Sequence, residues 1–205
     1  MATSGTNSVF EFRGVDNLVY AEVTKDDNET EGGYVTGAVK PLSPVAEIGR
    51  TTESSSETKY YDNKPMIVVN STGSDEITIT CAPLQLETLA DITGQTFDST
   101  KGRMIEGERS TKYFAIGYRT KGTDGGYRYV WRYKGTFAIP EETYATENDG
   151  TDTNNTELTF TGISTTHIFT NGGSAKAMVV DTRYDGADVS TFFETVTTPD
   201  TTSNS

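Results

Sequence analysis

The chain has 205 residues, 33% of them hydrophobic, with 17 basic against 30 acidic residues and a formal net charge of -13. That length allows one domain with a true core, and the acidic balance opposes any role that grips nucleic acid through its phosphates. Cys81 is the only cysteine and His167 the only histidine, which excludes a disulfide, a zinc cluster and any cysteine–histidine or serine–histidine dyad with a choice of partners.

No run of about 18 apolar residues is present to span a membrane. The start, Met1-Ala2-Thr3-Ser4-Gly5-Thr6, lacks the basic and apolar regions of a secretory signal, so folding in cytoplasm is expected.

In chain order the dominant signal is β. Residues 17–25 alternate, Val19, Ala21 and Val23 against Tyr20, Glu22 and Thr24. Residues 45–50 read as a strand, and residues 66–70 as a short apolar one. Between them lies Thr-Thr-Glu-Ser-Ser-Ser-Glu-Thr-Lys-Tyr-Tyr-Asp-Asn-Lys-Pro, residues 51–65, a polar connector far longer than the two to five residues that join neighbouring strands. Residues 75–81 then set Ile77, Ile79 and Cys81 against Glu76, Thr78 and Thr80.

A helix is predicted over 83–93, with Pro83 in its first turn, Leu84, Leu86, Leu89, Ala90 and Ile92 at helical spacing, and Gly94 as the stop. Residues 112–121 and 127–137 form a predicted hairpin around Thr123-Asp124-Gly125-Gly126. Residues 157–163 place Leu158 and Phe160 opposite Glu157, Thr159 and Thr161, and 176–183 close the set. Residues 187–195 fit a helix or a strand, and 197–205 read as a polar, mobile tail.

Signals for chemistry are weak. There is no Walker loop, no GxGxxG and no HExxH. The acidic loop 147–155 misses the EF-hand spacing, and Glu141 with Glu142, or Asp26 with Asp27, read as surface acids rather than a glycosidase pair. Cys81 reads as a small buried hydrophobe. In the segment 127–134, Tyr127, Tyr129, Trp131 and Tyr133 share one face and Arg128, Arg132 and Lys134 the other. A single-strand nucleic-acid platform needs rings and cations together, so the rings are expected to face a core and the cations solvent or an acidic neighbouring subunit. The basic-free stretches 135–175 and 26–39 predict a strongly negative surface.

Four stretches in order carry a resemblance: Gly14-Val15-Asp16-Asn17-Leu18-Val19-Tyr20-Ala21, the serine-acid connector from Glu53 to Asn63, Pro83-Leu84-Gln85-Leu86-Glu87-Thr88-Leu89-Ala90, and Tyr127-Arg128-Tyr129-Val130-Trp131-Arg132-Tyr133-Lys134-Gly135. Over residues 14–183 the chain resembles the major tail, or tail tube, proteins of long-tailed non-contractile phages of Gram-positive bacteria. The resemblance implies a mainly β, sandwich or barrel-like subunit with one flanking helix. Hexameric rings of it stack into a hollow tube around a tape measure protein, later emptied to let DNA through. Tail terminator and distal tail proteins would cap the ends, and the protein would reside in the virion tail, assembled in host cytoplasm, with neither catalytic activity nor cofactor.

It also implies that the long connector is an inter-ring arm, carried by Glu53, Ser54, Ser55, Ser56, Glu57, Lys59, Tyr60 and Asp62, disordered in the monomer and ordered on stacking. The corresponding division is an N-terminal arm (1–15), a tube domain (16–185) and a partly flexible C-terminal segment (186–205).

Geometry sets the scale of such a tube. Strands about 4.8 Å apart and tilted about 40° give a backbone diameter of about 32 Å for sixteen strands, barely duplex width once side chains fill it, and about 48 Å for twenty-four. With eight or nine strands per chain, several copies are needed. Lysines along a bore would hold phosphates, so the expected lumen face is Glu76, Thr78 and Thr80 with Glu157, Thr159 and Thr161; exposure to outside solvent is the alternative for these positions. A β-rich carbohydrate or cell-surface binding module is the alternative function, suggested by aromatics and many threonines.

Overall fold

The computed structural model describes residues 9–28, 33–141 and 155–201. The protein is mainly β and antiparallel, with one helix among the described residues. Its strands are β1 (Phe12–Asp26), β2 (Tyr34–Thr36), β3 (Lys40–Pro41), β4 (Val45–Tyr61), β5 (Lys64–Cys81), β6 (Thr96–Asp98), β7 (Arg103–Ile105), β8 (Tyr113–Gly122), β9 (Tyr127–Phe137), β10 (Thr156–Ile163) and β11 (Ala177–Asp181), with α1 (Leu86–Thr93) after β5. Nine strands form one sheet along the path β2-β1-β8-β9-β10-β5-β4, with β3 on β1 and β11 on β9; β6 and β7 pair separately.

Alternation decides what each face of this sheet touches. One face curls around a core of Leu18 and Tyr20 from β1, Ile77, Ile79 and Cys81 from β5, Phe114 and Ile116 from β8, Phe137 from β9, and Leu158 and Phe160 from β10. The other face of β1, β8 and β9 is also apolar. Ala21, Ala115, Trp131 and Tyr133 lie under Phe169, Phe192 and Val196 in a second core. Gly117 sits opposite Trp131, and a Cβ there would come within 3.0 Å of the indole, so bare backbone makes the room.

The C-terminal segment is the lid of that second core. Residues 187–196 are neither helix nor strand, with turns over 190–196; the Phe192 and Thr197 carbonyls accept from side chains below. Trp131 Nε1 donates to Phe192 O at 2.8 Å, and Tyr133 Oη to Thr197 O at 3.1 Å. Asp200 accepts the N–H groups of Thr170 and Asn171, so the described part of the predicted mobile tail is tied down.

The helix starts later than expected. Gln85 is still extended (φ -67°, ψ 144°) and gives no side-chain cap, so Pro83 and Leu84 precede the helix rather than open it. Gly94 ends it as predicted, at φ 70°, with its N–H on the Ala90 and Asp91 carbonyls. The hairpin of β8 and β9 turns at Gly125 (φ 86°), and Asp124 accepts the Gly126 N–H. β1 begins at Phe12 and pairs with β8 from there, inside the segment read as the N-terminal arm.

The largest departure lies at residues 51–65, which are strand, not connector. β4 and β5 form one continuous hairpin, paired from Val45↔Cys81 to Tyr61↔Lys64, and Asp62 and Asn63 turn it at φ 49° and 59°. Asp-Asn at positive φ is the chemistry of a two-residue hairpin turn, a signal that the polar run masked.

The inward rings set the stability of the first core. Phe160 is 0% exposed, its ring 5.1 Å from that of Phe137. Phe160→Ala should cost about 3–5 kcal/mol in urea unfolding; a loss under about 1 kcal/mol would place the ring outside the core.

Candidate assembly surfaces

Three features stand apart from the cores, and all involve β5. The first is a polar face. Cross-strand partners lie on one side of a sheet, and the register pairs Glu157 with Thr80, Thr159 with Thr78, and Thr161 with Glu76. The six expected lumen residues thus form one contiguous patch, partly or fully exposed, on the side opposite Ile77, Ile79, Leu158 and Phe160. The sequence did not reveal its extent. β4 adds Glu47 beside Thr80 and Thr51 beside Glu76, and β9 adds Thr136 beside Thr161. Four adjacent strands therefore present glutamate and threonine outward. Lys134, two residues from Thr136, is turned to Asp26, 2.5 Å away.

The second feature is the distal hairpin. β5 pairs with β10 only from Asp75 to Cys81, so beyond Asp75 the β4–β5 ribbon has no third strand among the described residues. Every residue from Glu53 to Gly73 is exposed. Of the expected arm residues, Ser54, Ser55, Ser56, Glu57, Lys59 and Tyr60 are paired across the ribbon, Glu53 accepts a hydrogen bond from Ser74, and Asp62 makes the turn. The expected order on stacking is thus already present as a hairpin in the single chain. Met66, Ile67, Val68 and Val69, read as part of a short apolar strand, do lie in a strand, but they are 66%, 50%, 57% and 50% exposed.

The third feature is the knot where the ribbon leaves the body. Asp75 is 3% exposed. It accepts Thr52 Oγ1 at 3.0 Å and Arg132 at 2.9 Å, with Lys176 at 3.3 Å and Arg50 at 3.8 Å. Lys176 also reaches the Gly73 carbonyl. Burial alone would raise the Asp75 pKa; the Thr52 hydroxyl, Lys176 and Arg132 outweigh it and hold the carboxyl below the usual carboxylate range.

The cations of β9, expected to face solvent or an acidic neighbouring subunit, are each paired with an acid of the same chain, and Arg128 stays partly exposed. Arg132 is on Asp75, Arg128 on Asp181 at 3.0 Å, and Lys134 on Asp26. Tyr129, Trp131 and Tyr133 do face a core, as expected. Of the acids behind the negative surface expected from residues 26–39 and 135–175, the described residues include Asp26, Asp27, Glu141 and Glu157, and Glu157 lies exposed on the polar face. Asp26 is spent on Lys134 and on the N–H groups of Thr166 and His167, and Glu29, Glu31 and 142–154 fall outside the described residues. Asn155 is the only residue of the acidic loop within them.

Cys81 is fully buried, and that burial raises its thiol pKa. His167 is half-buried, its Nδ1 3.0 Å from the Asp27 carbonyl. Among the described residues, no three His, Cys, Asp or Glu side chains gather as metal ligands. Compared with models of known protein families and with curated proteins, the chain finds no match.

Removing the Asp75 charge strands buried Arg132, so Asp75→Asn should cost about 3–5 kcal/mol near neutrality. The folded pKa is depressed, so this contribution is present above the unfolded value of about 3.9 and lost as pH falls through the folded one. The stability gap between wild type and Asp75→Asn, followed by urea unfolding, should narrow below about pH 4; a gap independent of pH would remove the ionic account.

Proposed function

We propose that the chain is a structural, self-assembling subunit of a hollow tube, the tail tube of a long-tailed non-contractile phage, without catalytic activity. The observation that carries this reading is the β4–β5 hairpin, which leaves the body bearing exposed apolar residues and no covering strand. A two-stranded ribbon alone in water is marginal, and bare strand edges invite pairing. Such an element is completed by other copies, which is the role of an inter-ring arm.

The polar face supports the same reading. Strands β9, β10, β5 and β4 are consecutive in the sheet, and β4 has a ladder partner on one edge only. Six copies, each turning four strands toward a common bore, would line it with about 24 strands, with a backbone diameter of about 48 Å and a channel near 38 Å, wide enough for a hydrated duplex of about 20 Å; β4 offers a free edge to a neighbouring copy, whereas β9 is already paired with β8. Glu47, Glu76 and Glu157, set among threonines, would line it with charge that repels phosphates, so DNA slides without being held.

In this reading the partners are sister copies, a tape measure protein that fills the bore during assembly in the host cytoplasm, and terminator and distal tail proteins at the ends of the tube. DNA passes through without sequence-specific binding.

Negative-stain microscopy of the protein with its tape measure partner should show rings or tubes. Replacing residues 54–72 by a short turn should leave a folded chain that no longer stacks; loss of folding would place the hairpin in the core instead. Glu76→Lys together with Glu157→Lys should slow DNA ejection from assembled tails, and unchanged ejection would remove these strands from the bore.

A further inference from the structure

We infer that the distal half of the β4–β5 hairpin is clasped between two sister copies, one against each of its faces, rather than laid across a single surface. The inference rests on the tube reading and adds which surfaces the hairpin needs.

The register assigns the faces. Glu57 pairs with Val69 and Lys59 with Ile67, and the Glu57–Lys59 ion pair at 2.5 Å joins two residues of the same face. Thr58 pairs with Val68 on the opposite face, followed there by Tyr60, while Met66 is the extra residue at the bulge. Four successive apolar residues in a strand necessarily divide between both sides. Tyr60 and Tyr61, at 66% and 54% exposure, divide in the same way. A ribbon lying on one surface would bury Ile67 and Val69 or else Val68 and Tyr60, and leave the other set in water, against the rule that exposed apolar patches stay small unless they bind something.

Charge and length point to sister copies as the occupants. The whole chain carries -13, so copies repel one another, yet residues 57–69 hold two acids, Glu57 and Asp62, and two lysines, Lys59 and Lys64. This neutral, apolar prong can enter an acidic neighbourhood without adding repulsion. Its stem is different. Ser54↔Thr72, Ser55↔Ser71 and Ser56↔Asn70 are polar on both faces, suited to crossing a wet gap of about 10 Å between molecules. Within one copy, the cavity between β3 and α1, lined by Tyr20, Lys40, Leu42 and Pro83, is about 380 Å³, the size of a small-ligand site rather than a slot for a ribbon.

The test uses Ile67→Cys and Val68→Cys, one on each face, each mixed as a minor fraction into wild-type protein before assembly so that tubes form even if a variant alone does not. Cys81 is 0% exposed and contributes little background to alkylation. In unassembled chains the thiols at 67 and 68 should react at similar rates with N-ethylmaleimide; in tubes both should react at least about tenfold more slowly. Protection at one position only, with tubes intact, overturns the two-sided clasp and leaves the tube reading standing. Failure of wild-type protein to form rings or tubes with its tape measure partner overturns the tube reading and the clasp with it.

Discussion

A strand that continues past the end of its own sheet has to find its neighbours elsewhere, and β5 is built on that constraint. From Asp75 to Cys81 it lies between β4 and β10, with Ile77, Ile79 and Cys81 in a dry core. From Lys64 to Gly73 it has β4 alone. The same backbone geometry thus yields an interior strand and an unsupported prong. The change falls at one residue, because Asp75 is the last to pair with β10.

That residue is also where the ribbon's direction is fixed. A carboxylate drawn into the protein interior is tolerated only with partners, and Asp75 takes them from separate places: Thr52 and Arg50 on β4, Arg132 on β9, and Lys176 ahead of β11. Arg132 and Lys176 tie the root of the hairpin to two other parts of the body, while Thr52 and Arg50 hold it to β4. Serine, threonine and valine in the ribbon confer little rigidity by themselves, so its aim comes from this ionic root rather than from the ribbon's own composition.

The sheet's outer face divides into two regions for the same reason of supply. Over β1, β8 and β9 it is aromatic and needs a cover, which residues 187–201 provide through Phe192, Val196 and the carbonyls that receive Trp131 and Tyr133. Over β10, β5 and β4 it is threonine and glutamate and needs none. A chain this acidic can leave such a face bare at little cost in solubility.

What the sequence by itself determined is whatever depends on neighbours along the chain. Alternation identified Ile77, Ile79, Cys81, Leu158 and Phe160 as inward, the Asp124-Gly125 turn as a hairpin, and Gly94 as a helix stop, since backbone geometry imposes these periods locally. Only the tertiary structure decided which strands lie side by side. It set Glu76 across from Thr161 and brought Arg132 to Asp75, 57 residues away. It also left Met66 to Val69 bare, though their composition alone reads as core. Burial and register are properties of the partner strand, and one strand's residues do not specify its partner.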